Sequence, residues 1–179
     1  MKHDLEEIVK QMTLEEKAGM CSGLNFWETK PVERLGVASI LMTDGPHGLR
    51  KQEDTADQLG ISNSVPATCF PTAATTSCSF DRDLLCELGV AIAEEMLQEK
   101  VAVVLGPGLN IKRSPLCGRN FEYFSEDPLM AGELAAAMVQ GIQSKGVGAC
   151  LKHFAGNNQE AARMINASLI DERPYVRST

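Results

Sequence analysis

Charged side chains collect where apolar runs end. Lys152 and His153 follow directly on the apolar run at 147–151, and Asp44 follows the run at 38–42. Arg113 and Arg119 lie in the loop after the most strand-like stretch of the chain, the β-branched run at 101–105. In α/β folds the carboxyl ends of parallel strands converge on one side of the sheet, so this rule predicts Asp44, Arg119, Lys152 and His153 on a common edge. A carboxylate among cations is equipped to hold a polar, hydrogen-bonding ligand. A Lys at a buried strand end requires a partner or a ligand, because an unpaired buried charge is costly.

Bland readings stand beside these. Asp44-Gly45 also reads as a turn dipeptide. Arg119 also reads as a surface partner of Glu122 or Glu126. His47, between Pro46 and Gly48, suits shaping a loop as well as catalysis. Cys117 has no base near it in sequence, Gly106-Pro107-Gly108 is no dinucleotide fingerprint, and the histidines at 3, 47 and 153 lack metal-site spacing, so neither metal nor cofactor is expected.

The elements that must position these groups alternate. A short helical pattern covers about 5–12. Thr13-Leu14-Glu15-Glu16 forms a capping box for a second helix, to about residue 20. A buried strand is predicted at 38–42, a long polar loop at 51–68, and a short strand with its loop at 70–79. Leu84, Leu85, Leu88, Ala91, Ile92 and Met96 mark one face of a helix with Asp81 or Asp83 near its start. The strand at 101–105 is continuous enough to be covered on both faces. Asp127 and Pro128 open another helix, which stops at Lys145-Gly146, and a strand at 147–151 follows. Met96 and Met138 are placed in the core. This order predicts an α/β fold with parallel strands.

Composition narrows the class. The 179 residues are 44% hydrophobic and 23% charged, with a formal net charge of −7, an ordinary globular balance. An acidic chain without a basic run argues against nucleic acid, and no apolar stretch approaches membrane-span length. Residues 1–7 carry acidic groups where a leader would be apolar. Six cysteines without C-x-x-C spacing suit free thiols, and a cytoplasmic location is expected.

Five segments then form a family pattern in order. Met12-Thr13-Leu14-Glu15-Glu16-Lys17, Asp44-Gly45-Pro46-His47-Gly48-Leu49-Arg50, Gly118-Arg119-Asn120-Phe121-Glu122-Tyr123, Ser125-Glu126-Asp127-Pro128 and Lys152-His153-Phe154 resemble glycoside hydrolase family 3, in particular its β-glucosidase branch. The resemblance runs from about residue 10 to 173. It implies the first part of an N-terminal (β/α)8 TIM-like barrel, about four strand–helix units, as an incomplete domain spanning 1–179 with no second domain. It further implies that Asp44 resembles the carboxylate holding two sugar hydroxyls beside the scissile bond. Arg50, Arg119, Lys152, His153 and Arg163 resemble the other polar residues of that subsite.

The implied partner is a β-glucoside or small oligosaccharide, and the implied reaction is retaining hydrolysis through a glycosyl-enzyme intermediate. The pattern departs from the family downstream. The nucleophile of the family is an Asp in a Ser-Asp-Trp type motif after Lys-His-Phe, and its acid/base Glu comes later still; the single Trp here is Trp27. Pro174 interrupts the helix that the family continues after Asp171-Glu172-Arg173. The expectation is a fragment that binds the glycone and carries no catalytic residue. The alternative is a vestigial, non-catalytic sugar-binding protein. A β-N-acetylhexosaminidase of the same family is disfavoured by the Asp44-Gly45-Pro46-His47-Gly48 context.

Overall fold

A computed structural model describes residues 5–52 and 63–172. Two short helices, α1 (Leu5–Gln11) and α2 (Leu14–Ser22), open the chain. The expected capping box is present. The Thr13 hydroxyl accepts from the Glu16 N–H at 3.2 Å, and the Glu16 carboxylate accepts from the Thr13 N–H at 2.8 Å. Arg34 closes on the same carboxylate, which holds Glu16 at about 2, below the usual carboxylate range.

A three-stranded parallel sheet follows: β1 (Met42–Asp44), β2 (Val103–Leu105) and β3 (Gly148–Ala149), in the order β1-β2-β3. Thr43 pairs with Val104, and Val104 with Ala149. Each crossover carries a long helix, α4 (Arg82–Gln98) and then α5 (Pro128–Ser144). Strands that add in chain order, with helical crossovers between them, make one singly wound sector.

Both long helices start where local chemistry says. Asp81 accepts from the N–H groups of Asp83 and Leu84, and Asp127 accepts from that of Leu129 at 2.8 Å with Pro128 in the first turn. Gly146, at φ +81°, ends the α5 segment where Lys145-Gly146 was expected to stop it.

The core lies between these helices and one face of the sheet. Leu85, Ile92, Met96, Met138, Ile142, Val104 and Val147 are almost fully buried there, the two methionines as predicted. The helices cross at glycine. A Cβ on Gly141 would stand 2.1 Å from the Cys86 carbonyl oxygen, and one on Gly89 would stand 2.3 Å from that of Met138. Backbone therefore lies on backbone at the crossing, which no larger residue permits.

Three expectations need correction. The first strand is displaced from 38–42 to Met42–Asp44, because Ile40 and Leu41 are taken by an antiparallel ribbon with Thr29 and Glu28. The expected strand at 70–79 is helical instead: α3 (Ala73–Thr76) runs into a 3-10 turn at Ser77–Ser79. Its start is fixed by a residue distant in sequence, since His47 Nε2 accepts the Ala73 N–H at 3.0 Å. The described residues thus hold three strands where about four strand–helix units were expected. Finally, among the described residues β2 is fully covered on one face only. Val104 is buried against the helices, while Val103 and Leu105 on the other face are partly exposed. Arg173 to Thr179, and with them Pro174, lie outside the described residues, as do Glu53 and Asp54 of the polar loop.

Candidate glycone-binding site

Asp44 is the last residue of β1, and its side chain shares the uncovered face of the sheet with Met42. Beyond β2 the chain continues through Gly108, which bridges Tyr123 on one side and Lys152 on the other. These bridges carry the sheet pairing past the strand ends and bring the loop at 118–123 against the segment after β3. Gly108 is required there. A Cβ would meet the Glu122 carbonyl oxygen at 2.8 Å and the Tyr123 ring at 3.0 Å.

The result is one connected polar cluster. Lys152 Nζ donates to Asp44 Oδ1 at 2.8 Å and stands 3.3 Å from Glu122 Oε2. Arg119 Nε donates to the other Glu122 oxygen, and Arg119 Nη2 donates to His153 Nε2 at 2.8 Å. Because a guanidinium only donates, His153 Nε2 is an acceptor, so the proton of the neutral ring sits on Nδ1 and is donated to Tyr123 Oη at 2.8 Å. Asn157 donates to the same phenol oxygen at 2.8 Å and to Glu160 at 3.1 Å. Asn110 grips the His153 main chain twice, accepting from its N–H at 2.6 Å and donating to its carbonyl at 3.0 Å.

Electrostatics agree with this wiring. Burial pushes the Asp44 carboxyl up, but the Lys152 hydrogen bond and charge, the Gly45 N–H and the Arg50 charge outweigh it and hold the pKa below its ordinary value. Burial, together with the Arg119 and Lys152 charges, pushes His153 down to about 4, so the ring is neutral at pH 7. Burial also lowers His47, whose Nε2 is already occupied by the α3 amide. His47 therefore serves the loop: it caps α3, and its carbonyl accepts from Phe70 at 2.9 Å.

The structure gathers Asp44, Lys152, Arg119 and His153, with Arg50 at the margin, 3.8 Å from Asp44 Oδ2. A turn follows Asp44, as the Asp44-Gly45 dipeptide suggests, and the Asp44 side chain faces the cluster. Arg163 is not brought against Asp44. It is half exposed and pairs with Glu160 at 3.3 Å, one carboxylate removed from Arg119. Arg113 is exposed and outside the cluster.

The surface pairing read for Arg119 and Glu122 is corrected: the pair exists, but Glu122 is only 3% exposed. Sequence reasoning also missed Tyr123, Asn110, Asn157 and Glu160. Tyr123 had a signal in the Gly118–Tyr123 segment; Asn110 had none, since its role is set by a contact 43 residues away.

A parallel α/β sector with a cation-clamped carboxylate at its strand ends defines the class, and comparison defines the family. The chain belongs to glycosyl hydrolase family 3: the pattern of the family's N-terminal domain matches residues 24–173. It is 66% identical over 170 residues to the thermostable beta-glucosidase B of Acetivibrio thermocellus, covering 95% of this chain and 22% of that protein. It is 57% identical over 157 residues to an exo-alpha-(1->6)-L-arabinopyranosidase of Bifidobacterium longum, covering 87% of this chain and 21% of the relative. The beta-glucosidase of Kluyveromyces marxianus, solved in complex with glucose, superposes with a TM-score of 0.80 at 40% identity, over 89% of this chain and 18% of that one. The chain thus spans about a fifth of the length of the curated relatives it matches. Among the described residues, no helix is long and apolar enough to cross a membrane.

Proposed function

We propose that this chain carries the glycone-binding part of a retaining β-glucosidase, built on the opening sector of a (β/α)8 barrel, and that the nucleophile and the acid/base are supplied by sequence outside these 179 residues. The observation that carries the reading is the Lys152–Asp44 contact at 2.8 Å, between residues 108 apart in sequence, on the open face at the strand ends. An ionised carboxylate with free lone pairs accepts two hydroxyl hydrogens of a pyranose, and the flanking cations keep it ionised. Hydroxyl contacts of this kind strengthen as the ring flattens toward an oxocarbenium ion.

The same carboxylates argue against chemistry within the chain. Glu122 is buried with both oxygens facing cations, Glu160 is held by Arg119, Arg163 and Asn157, and Asp44 is clamped by Lys152. Retaining hydrolysis needs two carboxyl groups about 5–5.5 Å apart, one of them able to hold and release a proton. A D-glucoside is the substrate assigned, on the β-glucosidase resemblance. Exposed thiols at Cys21, Cys69, Cys78 and Cys150 suit a reducing, cytoplasmic setting.

Two arms test the proposal. The isolated chain, incubated with 4-nitrophenyl β-D-glucoside, is expected to release no nitrophenol. Grafted in place of the matching segment of the Acetivibrio thermocellus β-glucosidase, it is expected to support turnover. Turnover by the isolated chain would overturn the division of labour, and a folded but inactive graft would overturn the β-glucosidase assignment. A non-catalytic sugar-binding protein, the rival reading, predicts that inactive graft.

A further inference from the structure

We infer that Glu122 is a positioning residue for the glycone site: it sets the spacing of Lys152 and Arg119, and through them the pose of Asp44 and His153, without touching the sugar. The inference rests on the glycone-binding reading of this cluster.

The argument starts from burial. A carboxylate that is 3% exposed has lost nearly all its water, a large cost unless charges and hydrogen bonds replace it. Here each oxygen faces a different cation, Oε1 the Arg119 Nε and Oε2 the Lys152 Nζ at 3.3 Å. The bond to Arg119 uses the Nε edge, which leaves Nη2 aimed at His153 Nε2. Lys152 spends one N–H on Asp44 and one toward Glu122, and a third remains for a ligand oxygen.

Glu122 itself is placed rigidly. It ends the 3-10 turn at Asn120–Glu122, the following Tyr123 is 1% exposed, and the Glu122 carbonyl oxygen lies 2.8 Å from where a Cβ on Gly108 would stand. The Asn120 side chain fixes the turn from the other side by donating to the Ser114 carbonyl at 2.7 Å. A rigid anion behind two long, flexible cations holds them in place before the sugar arrives. Without it, Lys152 would be held by Asp44 alone, and Arg119 would keep the neutral His153 ring and, as its nearest carboxylate, only the more distant Glu160, at 3.9 Å.

Glu122→Gln keeps the shape but replaces one acceptor oxygen with a donor that faces a cation. In the full-length graft described above, it is expected to lower kcat/KM for 4-nitrophenyl β-D-glucoside by about 100-fold, in protein shown to be folded by near-UV circular dichroism. The cycle with Lys152→Met separates positioning from mere stability. If Glu122 acts through Lys152, the double variant falls only a few-fold below Lys152→Met alone; independent structural damage would multiply the two losses. Should Glu122→Gln fail to fold, Glu122→Asp, which keeps the charge and shortens the reach, enters the same cycle.

A folded Glu122 variant within about threefold of the parent, or fully multiplicative losses, would overturn the inference. Asp44→Ala in the same graft tells the two failures apart. If Asp44→Ala is damaging while Glu122→Gln is not, only the positioning role falls. If neither matters, the glycone-binding reading falls with it.

Discussion

The two faces of the sheet are finished to different degrees. On the helix side, α4 and α5 touch backbone to backbone at Gly89 and Gly141, and Ala93, Met96, Val104 and Ile142 are at most 1% exposed. On the other side, Asp44, Val103 and Leu105 remain partly exposed. The segment after β3 presents Leu151, Phe154, Met164, Ile165 and Leu169, all at least half exposed. The first side is a completed core whose energetics are local to this chain. The second carries the polar cluster and an apolar rim together, in a chain that spans about a fifth of the length of the curated relatives it matches.

The largest expected effect breaks the finished side. Gly141→Leu drives a side chain into the Cys86 carbonyl, where only backbone movement can make room. It is expected to cost more than about 3 kcal/mol, read as a collapse of the urea midpoint or as failure to fold.

The second effect reads the polar cluster through pH. His153 is held near 4 in the folded chain, against about 6.5 when unfolded, so the unfolded state takes up the proton first as pH falls. Stability is therefore intact above about pH 6.5 and declines down to about pH 4, by roughly 1–2 kcal/mol after allowance for the half-exposed setting. Denaturant unfolding at pH 7 and pH 4.5 measures this, and His153→Gln is expected to flatten the slope. Asp44, lowered by its cations, adds a further loss only at lower pH, through its own folded value.

Asp127→Ala removes the cap of α5 and is expected to cost about 1 kcal/mol of stability in a thermal melt. The smallest effect lies on the unfinished side. The pair Leu151→Lys and Phe154→Lys is expected to change stability by less than about 0.5 kcal/mol, because both side chains are at least half exposed, while shifting the isolated chain toward monomer in size-exclusion chromatography.

What was legible in the sequence was what is decided locally. The capping box at Thr13, the cap at Asp127, Pro128 in a first turn and the stop at Gly146 each depend on residues within four positions of one another, and each was readable, while the cap at Asp81 was narrowed to Asp81 or Asp83. The strand-end rule found Asp44, Arg119, Lys152 and His153, because topology needs no exact register to put strand ends on one side. What was not legible depends on distant partners. The α3 segment is helical because His47, 26 residues away, accepts its first amide, and β1 starts late because Glu28 and Thr29 occupy the preceding residues. Glu122 looked like surface charge because nothing in its local sequence reveals that Lys152 and Gly108 enclose it.

The central claim is that Asp44 is the sugar-holding carboxylate of this chain, and kcat/KM of the full-length graft is its most direct measure. Asp44→Ala is expected to lose roughly 2–4 kcal/mol of transition-state stabilisation, about 30- to 900-fold, while Glu133→Ala, an exposed partner of Arg82, stays within about twofold. Equal effects of the two substitutions, or an Asp44→Ala enzyme as active as its parent, would contradict the account.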